Sequence, residues 1–269
     1  MKQVLASVIS SREVTPGLTR PHARTILGSQ LIWLKCPEIV PEAKPGQFVM
    51  VRCGGDCVLP RPFSIHQVND GGIALFFAVW EDGKGTNWLS QCQKDDTVEL
   101  FGPLGTGYSI RPASRNLLLV AGGIGIAPLY FLAQHVLSQG YSVTVLLGAS
   151  TATQLYPSHY LPPEAELIIT TEDGTAGQKG MITDLSPDFV GWADQVFACG
   201  PVAMYRNMVN KYPQLKNRPV QVSLEVGMGC GRGLCYGCTL KTKSGLKRVC
   251  QDGPVFDLND ILWDELSPI

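Results

Sequence analysis

Four of the chain's nine cysteines fall in one short stretch: Cys230, Cys235, Cys238 and Cys250, spaced C-x4-C-x2-C-x11-C. Thiolates are soft metal ligands, and three in one loop with a fourth arriving later is a spacing that holds [2Fe-2S] clusters. Gly229, Gly231, Gly233 and Gly237 let that loop turn backbone N–H groups toward the sulfurs, which helps to set a reduction potential. A four-cysteine zinc site is the other reading. Zinc ribbons, however, present two CxxC-like pairs at longer separation, whereas here three ligands share one loop. Cys53 and Cys57 form a C-x3-C with no further ligand close in sequence, and Cys36 and Cys92 read as small buried or surface residues.

A second constellation is built from glycine. The apolar run Leu117–Ala121 leads into Gly122-Gly123-Ile124-Gly125-Ile126-Ala127-Pro128. Glycines where a parallel strand turns into a helix allow a pyrophosphate to approach the backbone, and Pro128 suits a first helical turn. A tight packing turn with no ligand explains the same residues. The apolar run Gln195–Cys199, followed by Gly200-Pro201, supplies a second strand end of the same kind. Two such ends in one sheet can converge on a single dinucleotide, with Cys199 facing the crevice. After Val143–Leu147 the residues Gly148–Thr153 include no Arg or Lys to meet a 2′-phosphate, so NADH is expected rather than NADPH.

A third constellation is Arg61-Pro62-Phe63-Ser64, with Gly85-Thr86 about twenty residues on. An Arg can hold a diphosphate, an aromatic ring can stack on a flat cofactor, and a hydroxyl can hydrogen-bond a flavin nitrogen. A plain β-turn accounts for Arg61–Ser64 equally well. His22, His66, His135 and His159 have no evident sequence partners, so no acid–base triad is expected.

The elements that must position these residues change character along the chain. Short runs at Val4–Ile9, Ile26–Leu34, Gln47–Arg52, Ile73–Trp80 and Thr97–Phe101, punctuated by Gly, Pro, Asn and Asp, predict a small antiparallel barrel or sandwich. From Asn116 apolar runs alternate with helical ones (Pro128–Ser138, Val202–Lys211), which predicts a parallel sheet covered on both faces. From about Val220 the chain is short and rich in Gly and Cys, a core that a metal centre would help to hold. The stretch Leu117–Val136 is apolar enough to suggest a membrane span, but its glycine break reads as strand, loop and helix. A net charge of -1 argues against nucleic acid or an acidic membrane surface as partner. With no export signal in view, grouped cysteines imply metal or redox work in the cytoplasm.

Taken together, RPFS at Arg61–Ser64, GKGT at Gly83–Thr86, GPLG at Gly102–Gly105, GGIGIAP at Gly122–Pro128 and ACGP at Ala198–Pro201 resemble the ferredoxin–NADP reductase superfamily. The ending CGRGLCYGC, with the later CQDGPVF (Cys250–Phe256), is similar to that of electron-transfer subunits of type B dihydroorotate dehydrogenases. The resemblance implies an α+β multidomain chain: an antiparallel β-barrel FAD domain over 1–102, a parallel α/β nucleotide-binding domain over 103–218 and a small [2Fe-2S] domain over 219–269. It also implies that FAD binds at Arg61, Pro62, Phe63, Ser64, Gly85 and Thr86, with Ala78, Val79 and Trp80 beside the flavin. NAD would bind at Gly122, Gly123, Gly125, Ala127, Pro128, Cys199, Gly200 and Pro201, with Ser64 and Cys199 nearest the reacting atoms. The cluster would sit on Cys230, Cys235, Cys238 and Cys250. The expected partner is an FMN-containing catalytic subunit in a two-plus-two heterotetramer. The segment Thr171-Glu172-Asp173-Gly174 also fits the family pattern, its acidic pair reading as a nucleotide contact or a solvated turn. Another NAD(P)H-dependent ferredoxin reductase or sulfide dehydrogenase subunit, or a zinc-stabilised nucleotide-binding module, would share parts of this pattern.

Overall fold

The computed structural model describes residues 1–18 and 24–266, without the side chains of residues 185–188. The N-terminal runs form a closed antiparallel barrel. Its strands are β1 (Lys2–Leu18), β2 (Ile26–Lys35), β3 (Phe48–Val51), β4 (Arg61–Asn69), β5 (Gly72–Trp80) and β6 (Thr97–Leu104), in the order β1-β2-β5-β4-β3-β6. Alternation places Val49, Val51, Phe63, Ile65, Leu75 and Phe77 inside. Closure removes the free edges that a six-stranded sheet would otherwise expose. Arg61–Ser64, for which a plain β-turn is the alternative in sequence, instead forms the start of β4. The sequence reading misses helix α1 (Lys84–Gln91), which is only two turns long and too short for a clear helical period.

The second layer system is a seven-stranded sheet. Its strands are β7 (Asn116–Gly122), β8 (Ser142–Ala149), β9 (Glu166–Thr171), β10 (Gln178–Lys179), β11 (Gln195–Cys199), β12 (Val220–Ser223) and a late β15 (Val255–Asp257). The order is β10-β9-β8-β7-β11-β12-β15, parallel except for the β12–β15 pair. Helices α2 (Ile126–Leu137), α3 (Ile182–Val190) and α4 (Val202–Lys211) cover it. Because β8 and β11 leave β7 on opposite sides, the strand order reverses between β7 and β11, which opens a crevice at their C-terminal ends.

Helix α2 lies between sheet and barrel, with nine of its residues buried. A helix covered on both sides is apolar all round, which is why Leu117–Val136 resembles a membrane span in sequence. Among the described residues no helix is long and apolar enough to cross a membrane.

The cysteine-rich segment is an excursion between β12 and β15. It contains the hairpin β13 (Thr239–Thr242) and β14 (Gly245–Arg248) and one turn of helix, α5 (Val249–Asp252). The sheet therefore runs past the expected boundary at residue 218. Strand pairing, which is non-local, assigns β12 and β15 to it. One apolar cluster contains Met50 and Phe101 of the barrel, Val120 and Ala198 of the sheet, and Cys238 and Cys250 of the excursion.

Candidate functional site

A cleft of about 370 Å³ lies between barrel and sheet at the switch point. Thr15, Ser29, Phe76, Ala78 and Trp80 border it from the barrel; Gly122, Gly123, Gly125, Cys199, Gly200 and Pro201 border it from the sheet. The two glycine loops expected to converge do so, and the contact explains two of their glycines. A Cβ on Gly125 would run into the Cys199 carbonyl, and one on Gly122 would stand 2.9 Å from Pro201 Cδ. Gly123 differs. Its φ is +55°, and an added Cβ would meet nothing within 4 Å. That leaves its backbone open to the cleft at the start of α2, where unpaired N–H groups favour a phosphate.

Two residues of this set are placed differently from expectation. Ala127 and Pro128 are buried within α2 and do not border the cleft. Their place is structural: the Ala127 carbonyl accepts a hydrogen bond from His66 Nδ1 at 2.9 Å. His66, for which the sequence shows no partner, is fully buried on β4, and its Nε2 accepts from the Tyr156 hydroxyl at 3.0 Å. Burial lowers its pKa to about 4, against the ordinary 6.5, with the Ala127 bond partly opposing, so the ring is a neutral clasp between barrel and sheet. His22 lies outside the described residues.

Cys199 is 4% exposed. Burial raises its thiol well above the ordinary range and neighbouring Glu225 adds to this, while bonds to Tyr205 and Ser223 oppose it. The thiol is therefore protonated, a weak donor rather than a nucleophile. Glu225 also borders the cleft; it opens to solvent there but is walled by protein, and that desolvation raises its carboxyl pKa. The sequence reading misses Glu225 because it assigns β12 to the cysteine-rich region. As a residue just beyond a parallel strand of this sheet, its position was the available signal.

The acidic pair of the Thr171–Gly174 segment divides. Asp173 closes the turn, accepting from the Thr175 N–H at 3.0 Å and hydroxyl at 2.7 Å. Glu172 borders the cleft and accepts from Ser150 Oγ at 3.1 Å. Nearby, Thr170 Oγ1 and Thr183 Oγ1 are buried without a hydrogen-bond partner among the described residues, and both residues border the cleft. Buried hydroxyls without partners are costly, so this lining suits a polar ligand.

On the barrel, Arg61 lies against the first turn of α1: a Cβ on Gly85 would come 2.9 Å from Arg61 Cγ. Thr86 Oγ1 accepts from the Trp80 N–H at 3.3 Å, which ties that turn to the cleft-lining end of β5. A helix N-terminus with a guanidinium beside it fits a diphosphate. Ser64 is half-buried on β4 and is not among the cleft-lining residues; Pro62 is its half-buried neighbour but one. Phe63 and Val79 are core residues of the barrel: strand alternation turns both side chains inward, and the Phe63 ring packs edge-on against Phe77 at 5.1 Å.

The four cysteines form a separate site. Gly231 (φ +64°), Gly233 (φ +73°) and Tyr236 (φ +59°) bend the loop so that its N–H groups point inward. Arg232, Leu234 and Cys235 donate to Cys230 Sγ at 3.3, 3.3 and 3.4 Å, and Gly233 donates to Cys250 Sγ at 3.1 Å. Burial opposes ionisation of Cys230, but these N–H groups and the Cys235 thiol outweigh it and bring its pKa down to about 6. Burial and the adjacent Cys238 thiol push Cys250 up to about 12. The thiols pair, Cys230 with Cys235 and Cys238 with Cys250. Two thiol pairs ringed by backbone N–H donors are a donor set that suits an iron–sulfur cluster. The loop rests on the barrel: a Cβ on Gly231 would meet Met50 Cγ at 2.5 Å, and the Arg232 guanidinium lies 4.6 Å over the Phe101 ring. Cys53 and Cys92 are barrel-core thiols, pushed by burial to about 12 and 11.

Comparison with known proteins bears on both sites. Residues 225–262 match the family described as the iron-sulfur cluster binding domain of dihydroorotate dehydrogenase B. The electron transfer subunit of dihydroorotate dehydrogenase B (NAD(+)) from Desulforamulus reducens is 39% identical over 239 residues, 85% of this chain and 90% of the relative. The corresponding Listeria welshimeri subunit is 33% identical, over 83% and 89%. Among solved structures, an NADH-dependent reduced ferredoxin-NADP oxidoreductase studied for flavin-based electron bifurcation superposes with a TM-score of 0.84. It is 29% identical, over 98% of this chain and 91% of that one. A ferredoxin NADP+ reductase from Neisseria gonorrhoeae, at 18% identity and TM-score 0.60 over 78% and 90%, shares the fold.

Proposed function

The chain belongs to the electron-transfer subunits of dihydroorotate dehydrogenase B, and from that premise we propose that it takes electrons from NADH and passes them through FAD and a [2Fe-2S] cluster to the FMN of a dihydroorotate dehydrogenase catalytic subunit, in pyrimidine biosynthesis. The observation that carries this reading is that the four-cysteine loop packs directly on the barrel whose other face borders the dinucleotide cleft.

When bound, the cofactors supply the hydride and one-electron chemistry. The residues hold and orient them. Arg61, with Gly85 and Thr86 at the start of α1, would hold the FAD diphosphate, and Pro62 would fix the backbone next to Ser64. Ser64 would offer its hydroxyl to the flavin ring, and Ala78 and Trp80 would border it. Gly123 would admit the NADH pyrophosphate to the N-terminus of α2. Cys199, Gly200, Pro201 and Glu225 would flank the nicotinamide end, Cys199 as a protonated donor. Glu172 would repel a 2′-phosphate, which supports NADH over NADPH. Cys230, Cys235, Cys238 and Cys250 would carry the irons.

For the assembly we infer a two-plus-two heterotetramer in the cytoplasm. Leu234, Tyr236 and Leu246, exposed to 76%, 65% and 74% beside exposed Cys235, would face the partner. As units we propose the barrel, up to the end of β6 at Leu104, the seven-stranded sheet with its helices, and the cluster excursion between β12 and β15.

The test is an anaerobic NADH titration of the purified chain with iron and flavin assays. Bleaching of both flavin and iron–sulfur absorption, at about two irons and one FAD per chain, is expected. A reconstituted chain that stays colourless would sink the redox reading. Recovery of a native partner without FMN would redirect it to another reductase complex.

A further inference from the structure

Arg248 lies two positions before Cys250 and reaches back across the cysteine loop. Its Nη1 donates to the Gly233 carbonyl at 2.7 Å, and its guanidinium carbon lies 5.2 Å from the centroid of the Tyr236 ring. Its backbone N–H donates to Asp252 Oδ2 at 2.7 Å, which fixes the root of the side chain. The absence of a side chain at Gly233 permits the approach, because a Cβ there would stand 3.3 Å from Nη1 and run into the Gln251 side chain.

The carbonyl that Arg248 grips belongs to the Gly233–Leu234 peptide. The N–H of that same peptide is the one that Leu234 aims at Cys230 Sγ, at 3.3 Å. The preceding peptide contributes the Gly233 N–H to Cys250 Sγ at 3.1 Å. A cationic donor on a carbonyl oxygen polarises its peptide and strengthens the bond made by the N–H at the other end. The guanidinium therefore strengthens the Leu234 donor to Cys230 directly, and by fixing that peptide it also holds the adjoining Gly233 N–H toward Cys250. Arg232 has a different task, its guanidinium lying over Phe101 of the barrel.

We propose that Arg248 is a positioning residue that raises the reduction potential of the cluster, by holding the Gly233–Leu234 peptide so that its N–H faces Cys230 and the adjoining Gly233 N–H stays turned toward Cys250. This rests on reading the four cysteines as cluster ligands. Reduction adds an electron to a site already rich in negative charge. Donors to the sulfurs and a cation at the loop stabilise the reduced form more than the oxidised one. The Tyr236 ring keeps the guanidinium in place by cation–π contact.

The experiment is a redox titration followed by electron paramagnetic resonance on the full chain loaded with iron and FAD. Arg248→Ala should lower the reduced-to-oxidised ratio at a given applied potential about tenfold, equivalent to about 59 mV for a one-electron couple. The ¹⁴N coupling from the Leu234 peptide should weaken with it. Arg248→Lys, which keeps the charge and a donor, should recover most of the shift. An iron-replete Arg248→Ala protein with the wild-type midpoint and coupling overturns the proposal. Where that variant fails to hold iron, Arg248→Gln and Tyr236→Ala decide: both should shift the midpoint downward, and unchanged midpoints overturn it. A wild-type chain that takes up no iron on reconstitution would refute the cluster reading itself, a result distinct from any of these.

Discussion

Gly123 and Gly125 stand two residues apart at the end of β7 yet answer to different constraints. Gly125 has no room for a methyl group against the Cys199 carbonyl, whereas Gly123 faces open space at φ +55°. Gly125→Ala should therefore act on folding, costing about 2 kcal/mol or more through overpacking and lowering the melting temperature. Gly123→Ala should cost about 1–2 kcal/mol for the left-handed backbone, keep the fold, and raise the KM for NADH roughly tenfold by crowding the pyrophosphate. Thermal melts and steady-state kinetics on the pair separate packing from binding. If both variants only lose stability, the loop is a packing turn. Glu172 lends itself to a sign test at the same scale. Replacing the cleft carboxylate with Lys should raise kcat/KM for NADPH relative to NADH by about tenfold or more, a change of about 1.4 kcal/mol. An unchanged ratio would return Glu172 to the solvated turn already closed by Asp173.

At the scale of elements, the short helix α1 does more than its length suggests. Its first turn lies against Arg61 and is tied through Thr86 to Trp80, so one N-terminus joins two expected cofactor-binding stretches. Arg61 is partly exposed and its guanidinium donates to the nearby Leu59 carbonyl at 2.7 Å, a local bond, so its removal should leave the barrel stable. Arg61→Ala should weaken FAD retention about tenfold while the melting temperature of the apoprotein stays within a few degrees. Flavin fluorescence released on dilution measures the first, and calorimetry the second. Full FAD occupancy in the variant would remove Arg61 from the diphosphate site. Helix α2 shows the converse case: its apolar faces serve two partners at once, the sheet on one side and β4 on the other.

For the whole molecule, the joint between barrel and sheet contains a titratable group. Buried His66 stays neutral down to about pH 4, whereas in the unfolded chain it protonates near its ordinary 6.5. Between those values the unfolded state binds the extra proton, so stability rises with pH across that window and is lost as pH falls through it. The loss amounts to about 3 kcal/mol at most by pH 4, from about 1.4 kcal/mol per pH unit. Melting temperatures from pH 7 to pH 4 should fall more steeply for wild type than for His66→Gln. Parallel curves would show that other groups govern acid sensitivity.

Much of the architecture was legible because it is local. Short runs punctuated by Gly, Pro, Asn and Asp marked the barrel strands, continuous apolar runs marked the parallel strands, and cysteine spacing marked the cluster loop without reference to anything distant. The order of the motifs along the chain then sufficed for the family. Strand pairing, side-chain facing and convergence, by contrast, are set by contacts far apart in sequence. Only the tertiary structure decided that Phe63 and Val79 point into the barrel, that Ala127 and Pro128 belong to a buried helix rather than to the cleft, and that β12 and β15 complete the sheet. It alone brought Glu225 beside Cys199 and split Glu172 from Asp173. Such choices depend on which face closes against which core, and a single strand or loop carries that information only once its neighbours are in place.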